Sequence, residues 1–237
     1  MQFEVSDLLF PGFTKDAMKR LDKQYGIEFF YEFGKDYYWK QQVEEWGERA
    51  LSIHAPCVAL NLADSKQKNY ARVIEKTFAY AQKCKADFVV VHTNEAIEGD
   101  KELLRARVIR RLRQVMNLGK RYDVKVLIEN VGLRTKNNVL FDLPEYVALL
   151  DIFPQADIPA VVKALGERLA ACHVHDNDGN GDAHLPVGQG DIDWKAYFGA
   201  VKKYAPQATQ VFEYCCGFNN TKDLEAHIAE LKEDYKL

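Results

Sequence analysis

Phe88-Val89-Val90-Val91-His92 decides how this chain is read. Four apolar, mostly β-branched residues make a short run suited to a strand buried on both faces, as in a parallel sheet. The run ends in an imidazole. The same construction recurs in Leu51-Ser52-Ile53-His54, Val126-Leu127-Ile128-Glu129, Ala171-Cys172-His173-Val174-His175 and Gln210-Val211-Phe212-Glu213, and Asp182 with His184 follows shortly after the fourth of these runs. Helical segments of barrel-like length separate them. In a parallel α/β barrel the C-terminal ends of all strands meet at one face, where active sites are built. Residues remote in sequence would converge there, so a metal-dependent enzyme is expected.

Outward from these runs the chain reads as repeated β–α units. Residues 3–10 make a first strand and 14–25 a helix capped by the Thr14 hydroxyl. Residues 27–33 make a second strand, followed by helices over 37–49 and 66–85 and a basic amphipathic helix over 101–122. After a loop over 130–142, Asp142 caps a helix begun by Leu143 and Pro144, where proline is tolerated. A Gly/Asp-rich loop follows His175, then a helix from about Asp193 and Trp194 and a terminal helix over 223–237. This order predicts an α/β fold of the (β/α)8 TIM-barrel type, one domain spanning residues 1–237. One unit is defective. Only Pro154-Gln155-Ala156-Asp157 lies between two helices, too short for a normal strand. The sixth strand is therefore expected to be shortened or missing, leaving seven where a closed barrel has eight.

The 237 residues are 47% hydrophobic and 28% charged, with net charge -3, an ordinary globular composition with ample material for one core. This balance offers no general polyanion-binding surface, so nucleic acid is not expected as a partner. No apolar run approaches the roughly 18 residues of a membrane span. Met1-Gln2-Phe3-Glu4-Val5 lacks the basic and apolar regions of a signal peptide. The five cysteines are odd in number and form no CxxC pair, which reads as reduced thiols in a cytoplasmic protein. Cys172 is expected on the helix-facing side of its strand, with Cys215 and Cys216 structural rather than ligating.

Strand alternation puts His173 with His175, Ser52 with His54, Val90 with His92, Leu127 with Glu129 and Val211 with Glu213. A mixed imidazole and carboxylate set suits Zn, Mn, Co or Fe better than Ca or an all-thiolate site. Two carboxylates on different strands could also serve as acid and base. One would take a proton from carbon next to a carbonyl, the metal would hold the enediolate oxygens, and the other would return the proton. Taken singly, a strand-end histidine is more often structural and a buried Glu more often paired with Lys or Arg. The joint pattern reverses that preference, since five of the six histidines fall at or just beyond strand ends. His227, on the last helix, is read as a surface residue.

The segments Ser52-Ile53-His54-Ala55-Pro56, Val91-His92-Thr93, Ile128-Glu129-Asn130, His173-Val174-His175-Asp176-Asn177 and the run from Asp182 to Asp193 resemble, in order and spacing, the sugar phosphate isomerase/epimerase family. This is the xylose-isomerase-like barrel superfamily, which also contains endonuclease IV. The resemblance covers essentially the whole chain and includes Glu213 at the last strand. It implies a metal-dependent isomerase or epimerase of a small sugar, sugar phosphate or related hydroxy-carbonyl compound. Glu129, His173 and Glu213 would bind the principal divalent metal, with Glu129 and Glu213 the acid/base pair. His54 and His92 match positions that bind a second metal in endonuclease IV and line the substrate pocket in sugar isomerases. Asp182 and His184 match a pair that holds a third zinc in the nuclease, and His175 would contact substrate or a further metal. The chain departs from the family at the sixth strand, whose Asp is the fourth ligand of the principal metal; Asp157 is read as a helix cap instead. Two other functions follow from the same resemblance: a catalytically degenerate barrel acting as a binding protein, and an endonuclease IV-like zinc phosphodiesterase. Arg134 and Lys136 are candidates for a substrate phosphate. Phe29, Tyr31, Tyr37, Tyr38 and Trp39 could cover substrate or a second subunit, which leaves a homo-oligomer open, and core packing or helix-face burial explains them equally well.

Overall fold

A computed structural model describes residues 1–8, 20–31, 49–57, 60–95, 98–129, 158–178 and 183–237. Among them seven strands and five α-helices alternate: β1 (Phe3–Ser6), β2 (Gly26–Phe30), β3 (Leu51–His54), α1 (Tyr70–Cys84), β4 (Phe88–His92), α2 (Lys101–Tyr122), β5 (Val126–Glu129), α3 (Ile158–Leu165), β6 (Ala171–Val174), α4 (Trp194–Tyr204), β7 (Thr209–Phe212) and α5 (Thr221–Asp234). The strand pairings in the two units below are parallel. Residues 154–157, the helix expected from Leu143, Asp182, Arg134, Lys136, Tyr37, Tyr38 and Trp39 lie outside the described residues.

The chain divides into two compact units, and the boundary falls inside β2. One unit is Met1–Glu28 with Asp157–Leu237, the other Phe29–Ala156. In the first, β1 is flanked by β2 and β7, and β7 pairs with β6. The registers Ser6↔Glu28, Glu4↔Val211 and His173↔Val211 put Glu4, Ser6, Glu28, His173, Val211 and, two residues on, Glu213 on one face of the sheet. Helices α3 and α4 pack together. Phe198, Val201, Phe212, Tyr214, Leu224 and Ile228 fill the core between helices and strands. Cys172 faces α4 as expected, and burial raises its thiol pKa, against the opposing pull of hydrogen bonds with Tyr197 and Gln210.

In the second unit β4 lies between β3 and β5. Its register confirms the expected parity, with His54↔Val90, Val90↔Leu127 and His92↔Glu129 placing all three ligand-type side chains on one face. Val89 and Val91 point the other way and are fully buried. Helix α2 covers the limits expected of it. Asp100 accepts from Leu103 N at 2.9 Å as N-cap, and the chain leaves through Asp123 in the left-handed conformation. Leu104, Val108, Arg111, Val115 and Gly119 form its buried stripe at 3–4-residue spacing. Arg111 donates to the carbonyls of Leu62 and Asp64 at 3.0 and 2.7 Å, pinning the loop before α1.

Several expected boundaries shift. Helix α1 starts at Tyr70 rather than 66, because successive turns occupy the residues before it. The first helix does not reach Tyr25, whose N–H instead closes a turn on Asp22 O at 3.1 Å. His227 is not a bare surface residue: its Nε2 lies 3.3 Å from the Tyr214 hydroxyl and its ring packs on Phe218. None of the five cysteines is in a disulfide. No helix among the described residues is long and apolar enough to cross a membrane.

Candidate functional site

In the unit formed by Met1–Glu28 and Asp157–Leu237, His173 stands between two buried carboxylates. Its Nδ1 lies 3.3 Å from Glu213 Oε2, and its Nε2 lies 3.2 Å from both oxygens of Glu28. Glu28 is wholly buried and Glu213 4% exposed. Two carboxylates out of water around one imidazole are costly unless a cation joins them. Ligand atoms of Glu28, His173 and Glu213 all fall within 4.8 Å of one another. Glu28 Oε1 is buried without a hydrogen bond among the described residues. An N/O donor set of this kind, buried and short of positive charge, fits a divalent cation.

Glu213 also joins His184 and His175. His184 Nδ1 is 2.9 Å from the Glu213 carbonyl and 3.5 Å from its Oε2. A carbonyl only accepts, so Nδ1 carries the ring proton and Nε2 keeps a lone pair. The His175 and His184 rings stack at 4.1 Å, and donors of His175, His184 and Glu213 form a second set within 4.8 Å. His184 has φ 45°, the left-handed region that a non-glycine residue seldom occupies. Its carbonyl accepts from Cys215 N at 3.1 Å and Cys215 Sγ reaches Ala183 O at 3.2 Å, so the chain after β7 holds this loop in place.

The loop itself is organised by Asp176. Its carboxylate accepts from Asn177 N, Gly188 N, Ile192 N and the Trp194 indole at 2.8–3.2 Å. Burial alone would raise its pKa, but these donors together hold it below the usual carboxylate value. A Cβ at Gly190 would come within 2.5 Å of both Asn177 O and Asp176 Oδ1, so only glycine fits there.

The Phe29–Ala156 unit carries a second cluster. His54 Nδ1 contacts Ala55 O at 2.8 Å, and His92 Nδ1 contacts Glu95 Oε1 at 2.6 Å. In neutral rings those contacts use each imidazole's only proton. The two Nε2 atoms then face each other at 3.0 Å and both face Glu129 Oε2, at 3.2 and 3.0 Å. Three lone pairs at that spacing need a proton or a metal cation between them. Second contacts that fix the outer nitrogens are what ligating histidines ordinarily show. Phe30 stacks on His54 at 4.1 Å.

The His92 pKa reflects the same geometry. Burial alone lowers it, but Glu129 and Glu95 outweigh burial and raise it to about 10 from 6.5. Protonation of His92 therefore stabilises the metal-free fold below pH 6.5, and this stability is lost as pH rises toward 10. Urea titrations of chelator-treated protein between pH 6.5 and 10 should show falling stability, with a flatter profile in His92→Asn. Equal slopes would contradict the assignment.

Each sequence-predicted residue is thus placed within its own unit: His173, His175, His184 and Glu213 in one, His54, His92 and Glu129 in the other; Asp182 lies outside the described residues. Sequence reasoning missed Glu28 and Glu95, and gave Asp176 no role beyond its place in a motif. Glu28 left one trace, a charged residue inside the apolar strand Gly26-Ile27-Glu28-Phe29-Phe30.

A model of the xylose isomerase-like TIM barrel family matches residues 24–233, a span that runs through both units. Over 166 residues the chain is 25% identical to an uncharacterized protein of Methanocaldococcus jannaschii, covering 64% of this chain and 66% of that one, just under two thirds of its length. Among solved structures it is similar to a D-tagatose 3-epimerase-like protein, with TM-score 0.75, 20% identity and coverage of 100% of this chain and 98% of that one. It is similar also to D-psicose 3-epimerase with D-tagatose from Clostridium cellulolyticum H10, with TM-score 0.72, 14% identity and 99% of each chain covered. A third is the IOLI protein with a binding zinc atom, with TM-score 0.72, 13% identity and 99% and 98% covered. At these identities the likeness is one of fold.

Proposed function

The chain belongs to the xylose isomerase-like TIM barrel family, and we propose that it is a metal-dependent isomerase or epimerase of a small sugar, sugar phosphate or related hydroxy-carbonyl compound. Family membership bears out the expected (β/α)8 type, with seven parallel strands among the described residues. The observation that carries the functional reading is the partly buried imidazole of His173 set against the buried Glu213 carboxylate at 3.3 Å. Epimerases among the structural neighbours support the same class of substrate.

His173 and Glu213 would hold a divalent cation, zinc, manganese, cobalt or iron, with His184 and Asp182 as further donors. A bound cation supplies a Lewis acid that polarises the substrate carbonyl. Glu129 and Glu213, each within its own unit, are the candidates for the acid/base roles. Such a carboxylate removes the proton from the carbon next to the carbonyl, and its protonated form delivers a proton to that carbon or its neighbour. His54, His92 and His175 bind the hydroxyl-rich substrate, for which imidazoles offer both donors and acceptors.

The test is to load purified protein with Zn2+, Mn2+ or Co2+ and incubate it with free and phosphorylated ketoses in D2O. Deuterium appearing at the carbon next to the carbonyl, followed by a new isomer or epimer, is the expected result. No exchange with any ketose, in protein that holds near-stoichiometric metal, would sink the proposal.

A second reading draws on the His54, His92 and Glu129 cluster, whose three facing lone pairs suit a cation of their own. More than one metal would favour a zinc phosphodiesterase, the metals activating water and stabilising phosphate oxygens. Cleavage of an abasic-site duplex, with no ketose exchange, would select it.

A further inference from the structure

We propose that Glu28 is a positioning residue: its carboxylate accepts from His173 Nε2–H, fixing the imidazole so that Nδ1 meets the cation beside Glu213. This rests on the metal-dependent function proposed above and adds to it a residue from the second strand.

The argument starts from the two faces of one ring. His173 Nδ1 lies 3.3 Å from Glu213 Oε2 and Nε2 lies 3.2 Å from Glu28. An imidazole ligates through one nitrogen, and its other nitrogen then carries a proton that needs an acceptor. Either carboxylate could share the ion, because both separations suit two donors on one cation at about 2.0–2.2 Å from each.

Burial decides between them. Substrate must reach the cation, and Glu28 is 0% exposed while the Glu213 side chain is 5% and that of His184 17%. The Glu213 side also holds the further donors of His175 and His184 within 4.8 Å. Among the described residues, Glu28 is hydrogen-bonded and ion-paired to His173, and its Oε1 accepts no hydrogen bond. The cation therefore sits on the Nδ1 side and the Glu28 charge is met through the ring. A metal on Nδ1 makes Nε2–H a stronger donor, which turns a costly buried carboxylate into one end of a charge-assisted hydrogen bond.

Two measurements test this. In zinc-loaded wild type, long-range 15N–1H NMR of the histidine rings should find His173 protonated at Nε2 and coordinated at Nδ1; the opposite tautomer overturns the proposal. Glu28→Gln keeps the shape and removes the charge. It should bind Zn2+ about 10–100-fold more weakly, as losses of such outer partners do. In chelator its melting temperature should equal or exceed that of wild type, because an uncompensated buried charge is gone. Unchanged zinc affinity, or a variant as destabilised without metal as with it, would show a merely structural Glu28. Wild type that binds no cation would instead bring down the metal-dependent function itself.

Discussion

Glu213→Gln is expected to lower turnover of a responsive ketose by about 10²–10⁴-fold, the usual worth of a positioned acid or base. The same change should reduce metal occupancy. Glutamine keeps the backbone carbonyl that His184 Nδ1 contacts at 2.9 Å, so the loop and the fold should survive. It replaces the Oε2 that stands 3.3 Å from His173 Nδ1 and 3.5 Å from His184 Nδ1. An amide can neither take up the substrate proton nor neutralise a cation. The two losses are separable: at saturating metal the occupancy defect is relieved, while the proton-transfer defect remains in kcat. Glu129→Gln serves as the parallel case in the other unit, where Oε2 faces His54 and His92. Full activity in Glu213→Gln at saturating metal would remove Glu213 from the acid/base role.

Much of this arrangement was legible in the sequence because strands announce themselves locally. A β-branched run with a terminal imidazole fixes both the strand and the face its last side chain takes; the register His92↔Glu129, which sets how far along the strands the two meet, is supplied by the fold. Helix α2 was legible for a similar reason, through the apolar stripe at 3–4-residue spacing, while its caps Asp100 and Asp123 emerge from the structure. Glu28 was not legible. Its role depends on His173, 145 positions away, and nothing within β2 tells a buried charge from an alternating exposed one. Asp176 is legible in the sequence only as a motif position, because its donors come from the loop's own backbone and from Trp194, and their convergence is a property of the folded loop. The order of strands and helices supplied the fold type; the division of the chain within β2 had no signature in composition or spacing.

Asp176→Ala should be the most damaging single change outside the cation ligands. The carboxylate is wholly buried and accepts from Asn177 N at 2.9 Å, Gly188 N at 2.8 Å, Ile192 N at 3.2 Å and Trp194 Nε1 at 2.8 Å. Each hydrogen bond to a charged group is worth roughly 1.5–3 kcal/mol, and a buried donor left unpaired costs its desolvation as well. Relaxation and water entry recover part of the sum, leaving a net loss on the order of 3–5 kcal/mol. For a chain of this size that lowers the melting temperature by about 10 °C or more. Activity should fall further than stability explains, since the loop that Asp176 closes also carries His184 and abuts Glu213. Asp176→Asn should lie between, because its amide keeps one acceptor oxygen but turns an N–H toward donors. The pH dependence has a definite sign. The folded pKa is depressed, so the stabilisation is complete above the unfolded value of 3.8 and is lost as pH falls below it. Acid titration of wild type and Asp176→Asn should therefore converge at low pH. A melting temperature for Asp176→Ala within 2–3 °C of wild type, on this size scaling, would show that the loop holds its shape without the carboxylate.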